Sequence, residues 1–175
     1  MVRWLEYQEL LFRHLKNIKQ VEIYKFANKI MLAKRVWLIA NGGSLATCSH
    51  WAEDLLKFGG IKAVALTDPA LITMSANDFG YEKSFSIGLE RLVDKNDALI
   101  GISVSGESKN IIEPFKYLAC KTLALVGVKN STLHELADYS IVVGSPDFTL
   151  VEDAHLIIAH QIVAEIHRRK ELQNG

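Results

Sequence analysis

Apolar residues change their period along this chain. From Leu5 to about Ala33 they recur at helical spacing. Leu10, Leu11 and Leu15, with His14, mark one segment; Ile23, Phe26, Ala27, Ile30 and Met31 mark the next. This pattern predicts two amphipathic helices. Five short, nearly continuous apolar runs follow, at residues 36–40, 63–66, 98–103, 122–126 and 139–143. Their β-branched content and flanking turn residues predict parallel strands buried on both faces. Helical patterns separate them at residues 45–57, 69–77 with 81–92, 109–119 and 132–137, and a long amphipathic helix runs from about 150 to 172. Strands alternating with helices in this way predict an α/β fold: a three-layer α/β/α sandwich around a five-stranded parallel sheet. Residues 1–175 then form one domain, with 1–34 as a helical extension packed on it. In open sheets of this kind ligands bind beyond the carboxyl ends of the strands.

Two turns at that edge carry the chemistry. Asn41-Gly42-Gly43-Ser44 follows the first strand, and Ser103-Val104-Ser105-Gly106-Glu107-Ser108 follows the third. Each ends a buried strand in small hydroxyl residues and glycine just before a helix. That arrangement offers backbone N–H groups and Ser hydroxyls to an anion. Neither turn is followed by a Walker-type Lys, which argues against a nucleoside triphosphate and for a small single phosphate, such as that of a sugar phosphate.

Composition narrows the classes further. A hydrophobic fraction of 49% with three prolines argues against disorder. Twenty basic and twenty acidic residues cancel, leaving no electrostatic reason to expect nucleic acid. The apolar runs fall short of a membrane span, and residues 1–5 are not a signal peptide. Two cysteines, Cys48 and Cys120, suit a reducing cytoplasm and form no disulfide framework. Cys48 follows the first turn, where a helix dipole lowers a thiol pKa, yet no partner base is specified and it reads as a packing thiol.

His50 and Asp54, spaced i and i+4, share a helix face. Glu152, Asp153, His155 and His160 stand in the otherwise apolar start of the last helix. Imidazole with carboxylate relays protons near neutral pH or holds a divalent metal such as zinc; the plainer reading of His50 and Asp54 is a surface pair. His155 projects roughly 140° from His160 and reads as structural or interfacial. Asp153 reads as a first-turn acid complementing the helix dipole, and His167 as a surface or interface residue. Glu152 and His160 share a face but stand about 12 Å apart along a straight helix, too far for one ion. A pocket using both needs an irregular helix or two copies of it, which points to a site shared between subunits. Asn77-Asp78-Phe79-Gly80 reads as a turn whose polar groups can reach sugar hydroxyls.

This ordered set resembles the sugar isomerase (SIS) domain, a flavodoxin-like fold, and within it the phosphoheptose isomerases. The match takes in both serine turns, His50 with Asp54, Asn77 to Gly80, and Glu152 with His160. The resemblance implies isomerisation of sedoheptulose 7-phosphate to D-glycero-D-manno-heptose 7-phosphate through a cis-enediol, toward lipopolysaccharide or capsule heptose. It also implies a cytoplasmic homotetramer with sites at subunit interfaces, and bound zinc. Carried across by position, Ser44, Ser103, Ser105 and Ser108 would hold the phosphate. Asn41, Gly42, Gly43, Asn77 and Asp78 would line the sugar. His50, Asp54, Glu152 and His160 would form the metal and acid/base set, with Asp54 and His160 catalytic and Glu152 also touching substrate.

The chain departs from the family pattern in places. Asp54 stands where a glutamate is usual, one methylene shorter, and neighbouring Glu53 projects about 100° away. Glu152 stands where glutamine is common, and Val104 where a hydroxyl residue is frequent. The 57–62 segment lacks a longer Arg-bearing stretch. A non-catalytic SIS module that senses a phosphosugar is the alternative these departures leave open.

Overall fold

The computed structural model describes residues 3–174. Two helices, α1 (Trp4–Asn17) and α2 (Gln20–Met31), precede a five-stranded sheet. Its strands are β1 (Val36–Ala40), β2 (Ala63–Ala65), β3 (Ala98–Ser103), β4 (Lys121–Val126) and β5 (Tyr139–Val142). All pairings are parallel, in the order β2-β1-β3-β4-β5. The chain therefore reverses its winding direction at β1 and β3, the crevice where doubly wound sheets bind ligands.

Each strand lies within a residue or so of its sequence-predicted bounds. The central strands β1 and β3 are buried at every residue. The edge strands are not: β2 and β5 are largely half-buried or exposed, because each has a neighbour on one side only. The sheet divides the core into two layers. On one side α2 and the helices Gly42–Lys57 and Phe148–Asn174 cover Leu38, Ile100, Leu123 and Ile141; on the other Phe85, Leu89, Ile111 and Phe115 cover Ile39, Leu99 and Ala124.

The helices follow the predicted order with four changes. First, α3 (Gly42–Lys57) begins three residues earlier than the apolar pattern indicates, so the glycines form its first turn. Gly42 has φ of +52°, a left-handed conformation that glycine adopts without steric cost. Second, α4 (Pro69–Phe79) is capped by Asp68, which accepts from the Leu71 N–H at 2.7 Å, and it continues through Asn77 and Asp78. Those two residues therefore occupy a helical last turn, and the chain break falls at Gly80, with φ of +93°. Third, the expected helix at 81–92 is divided into a 3₁₀ turn (Tyr81–Lys83) and α5 (Ser86–Leu92). Fourth, α6 (Lys109–Phe115) carries Pro114 inside it and ends one residue beyond, four residues short of residue 119.

The short α7 (Thr132–Leu136) leads into β5, and α8 (Phe148–Asn174) closes the fold as one 27-residue helix. No helix among the described residues is long and apolar enough to cross a membrane.

Candidate functional site

Register places the two serine turns side by side. Ala40 of β1 pairs with Ile102 of β3, so Asn41 and Ser103 leave the sheet as neighbours. A cavity of about 110 Å³ opens there, lined by Asn41, Ser44, Ser103, Val104, Ser105 and Ser108, with Ile102, Phe148 and Glu152 closing it. Within the second turn Ser103 Oγ accepts from the Gly106 N–H at 3.0 Å, and Ser105 Oγ from the Glu107 N–H at 3.2 Å. Both hydroxyls keep their own protons to donate. Val104 is buried and contributes an apolar wall to the cavity.

A polar network that sequence reasoning did not find fixes Asn41. Its side-chain amide exchanges hydrogen bonds with the Asn110 amide at 2.9 and 2.8 Å, and Asn110 also donates to Ser84 Oγ at 3.2 Å. Tyr81 donates to Asn41 Oδ1 at 3.2 Å. The sequence signal for Asn110 was a single amide in the first turn of α6, which has no meaning until β1 and β3 are paired. Asn77 and Asp78 are exposed, hydrogen-bond each other at 2.8 Å, and do not line the cavity.

Helices α3 and α8 lie side by side and run in the same direction. Glu152 meets Ser44 at the start of α3, His160 meets His50 and Asp54 midway, and His167 meets the Phe58 carbonyl at its end. Within one chain Glu152 and His160 meet different points along α3, as their separation of about 12 Å on a straight helix requires. The Glu152 carboxylate lies against Gly43 and within 3.3 Å of Ser44 Oγ, outside the His50–Asp54–His160 cluster.

In that cluster His50 Nε2 and His160 Nε2 stand 3.0 Å apart, and Asp54 Oδ2 lies 3.6 Å from the first and 3.5 Å from the second. Two imidazole nitrogens and a carboxylate oxygen aimed at one point need a shared proton or a cation between them. A tetrahedral ion with bonds of about 2 Å spaces its ligands by roughly 3.3 Å, so these three residues could hold a metal with one position open. Asp54 is buried while the His50 and His160 side chains are about half exposed, so the cluster faces outward from a buried carboxylate. Glu53 sits 3.9 Å from the other nitrogen of His50 and does not take the place of Asp54. Beside the cluster runs a groove of about 290 Å³ with Phe58, Val163 and Ala164 in its walls. A larger cleft, about 580 Å³, lies between Tyr24, Tyr139 and Arg169 and contains none of these groups.

The remaining candidates resolve into structural roles. Burial pushes the Cys48 thiol far above its ordinary range, the reverse of activation by a helix dipole. His155 is a buried residue of α8, and desolvation lowers its pKa to about 4. Neither ring nitrogen makes a hydrogen bond of good geometry, and the Val126 backbone only partly offsets the cost. Asp153 lies in the second turn of α8, not the first, and accepts a short hydrogen bond from Tyr7 that ties α1 to α8.

A parallel 2-1-3-4-5 sheet with a hydroxyl-lined cavity at its switch point and a His-Asp-His cluster nearby defines an α/β phosphosugar-binding fold. Solved structures share it. The phosphoheptose isomerase GmhA from Neisseria gonorrhoeae superposes with a TM-score of 0.82 at 26% identity, over 89% of this chain and 90% of that one. A phosphoheptose isomerase from Francisella tularensis gives 0.86 at 24% identity, over 95% of this chain and 100% of that one. No family model matches the chain. In sequence it is 34% identical to the phosphoheptose isomerase of Aliarcobacter butzleri (strain RM4018), over 91% of this chain and 90% of that protein. The chain belongs to the phosphoheptose isomerase family.

Proposed function

We propose that the protein isomerises a ketose phosphate to an aldose phosphate, converting sedoheptulose 7-phosphate to D-glycero-D-manno-heptose 7-phosphate. The observation that carries this reading is the convergence of His50, Asp54 and His160 on one point, along the same helix pair that frames the serine cavity. A module that only binds a phosphosugar has no need of a proton-transfer set, so the non-catalytic alternative is not favoured.

The cavity takes the phosphate, with Ser44, Ser105 and Ser108 donating and the first turn of α3 offering N–H groups. Asn41, held by Asn110, faces the sugar. His160 is eight residues beyond Glu152, about 12 Å along α8. A substrate engaging both regions must separate its phosphate from its carbonyl by several carbons, which a heptulose does and a triose does not.

Proton movement between adjacent carbons needs one base on one face of the enediol. Asp54 supplies it: Oδ2 faces both imidazoles, and Oδ1 has no partner among the described residues. His160 exchanges the oxygen protons, and His50 fixes the Asp54 carboxylate. His50, Asp54 and His160 also form a donor set for zinc, which when bound supplies positive charge beside the developing oxyanion.

The apolar groove beside the cluster, together with exposed Trp4, Leu5 and Phe12 on α1, supports a homo-oligomer with sites near subunit contacts. Light scattering at working concentration checks the assembly. The deciding experiment follows sedoheptulose 7-phosphate by NMR with enzyme as purified, with added zinc, and after chelation. Turnover that rises with zinc and falls on chelation is expected. Absence of turnover in all three conditions, with the phosphosugar still bound, would overturn the isomerase reading.

A further inference from the structure

The largest cleft lies at the other end of the sheet. The serine turns leave the carboxyl ends of β1 and β3, whereas Tyr139 opens β5 at its amino end. Arg169 follows His160 on α8 by about 13 Å of helix. Tyr24, Lys25, Asn28 and Lys29 of α2 complete the cleft of about 580 Å³. Its lining carries three cations and no carboxylate, in a chain whose twenty basic and twenty acidic residues cancel overall. Arg169 is fixed in place. It pairs with buried Glu165, donates to the Tyr24 carbonyl at 3.4 Å and stands 5.5 Å over the Tyr24 ring. Lys29 holds its ammonium 5.5 Å from the centre of the Tyr139 ring. Lys25 and Lys29 are spaced i and i+4, where like charges repel. Among the described residues neither pairs with a carboxylate, and Glu22, the single acid of α2, turns to the Lys19 N–H instead. An anion in the cleft would relieve that repulsion.

We infer that this cleft binds a nucleotide, with its phosphates on Lys25 and Lys29 and its base against Tyr24 and Arg169. The two halves of the lining call for two kinds of ligand group. Lysine ammoniums act on phosphate as mobile point charges. Tyr24 is 37% exposed, and its ring with the Arg169 guanidinium offers a π surface on which a planar base can stack. Asn28 adds a donor and an acceptor at the rim. The volume falls in the range of about 300–1,000 Å³ that small-molecule sites occupy. A phosphosugar would satisfy the lysines and leave the aromatic surface unused. A nucleic acid would need a basic face longer than one cleft, which the balanced charge of the chain does not provide. The site stands apart from the isomerase reading: none of its residues lines the serine cavity or belongs to the His50–Asp54–His160 cluster.

The test is calorimetric titration of ADP, pyrophosphate and adenosine into the full chain, as wild type, as Lys25→Gln with Lys29→Gln, and as Tyr24→Leu. Glutamine keeps most of each lysine stem and removes the charge. Leucine at position 24 leaves the backbone carbonyl that Arg169 uses. ADP is expected to bind wild type more tightly than pyrophosphate or adenosine does. The double variant should weaken ADP at least tenfold, and Tyr24→Leu should weaken ADP severalfold with pyrophosphate unchanged. Saturating sedoheptulose 7-phosphate should not displace ADP. Absence of ADP binding to wild type overturns the inference, as does ADP binding that the double variant leaves unchanged. Pyrophosphate binding as tight as that of ADP removes the base from the site and overturns the nucleotide assignment. Competition by sedoheptulose 7-phosphate would move ADP to the serine cavity and overturn it equally. If wild type binds no ADP and the double variant scatters light as a different oligomer, the cleft is a contact between subunits and the inference falls.

Discussion

The serine cavity and the His50–Asp54–His160 cluster share two helices but are built by different means. The cavity is made of strand ends: two parallel strands stop in register, and turns of Ser, Gly and Asn present backbone and hydroxyl groups. The cluster is made of three side chains from the middle of α3 and α8, fixed by helix packing. The difference teaches that holding a substrate and changing it can be separated along one helix pair. On this proposal, damage to one region should leave the work of the other measurable.

The largest break is expected from His160→Ala. General acid–base groups contribute about 10²–10⁴ in rate, so kcat should fall by roughly that factor. Binding of the phosphosugar should persist, because the cavity is untouched. Melting temperature should change little, since the side chain is about half exposed. Retained turnover in this variant would sink the assigned chemistry. Asp54→Glu sharpens the same point: if the shorter arm limits proton transfer, the longer one changes kcat without moving phosphate affinity.

A second histidine on α8 separates stability from chemistry. His155 has its pKa lowered to about 4 by burial, against an ordinary value of 6.5. The folded protein thus binds fewer protons than the unfolded chain between these values, and stability rises with pH there. Its contribution is complete above about 6.5 and is lost as pH falls toward 4, by roughly 3 kcal/mol in total. Urea midpoints at pH 7 and 4.5 should fall less in His155→Leu than in wild type. An equal fall in both proteins would remove His155 from the acid response.

The two regions also differed in how much of them could be read in advance. The strands and the turns after them were legible, because continuous apolar runs and clustered Ser, Gly and Asn are local signals. His50 with Asp54 was legible for the same reason, as an i,i+4 pair. The arrival of His160 beside them was not readable from spacing alone, since it depends on α8 lying along α3. Asn110 was invisible because its partner Asn41 is 69 residues away. Asn77 and Asp78 misled in a different way. Turn-forming residue types suggested a break, but α4 continued to Phe79 and the actual terminator was Gly80. The overlong reading of α6 came from following apolar periodicity past Pro114.

The smallest effect, and the complement to the first, is expected from Ser105→Ala. Ser105 Oγ accepts from the Glu107 N–H, so the turn loses one neutral hydrogen bond and should still form around Ser103 and Gly106. What the substrate loses is one donor to a charged group, worth about 1.5–3 kcal/mol. If that contact is made equally in the bound substrate and the transition state, KM rises by roughly tenfold or more while kcat holds. Steady-state kinetics on Ser105→Ala and His160→Ala, measured side by side, then give opposite signatures: KM alone in one, kcat alone in the other. A Ser105→Ala variant that loses kcat with KM unchanged would mean the cavity tightens only in the transition state. The division between a holding region and a reacting region would then be false, because the phosphate end would be helping to drive the chemistry at the far end of the substrate.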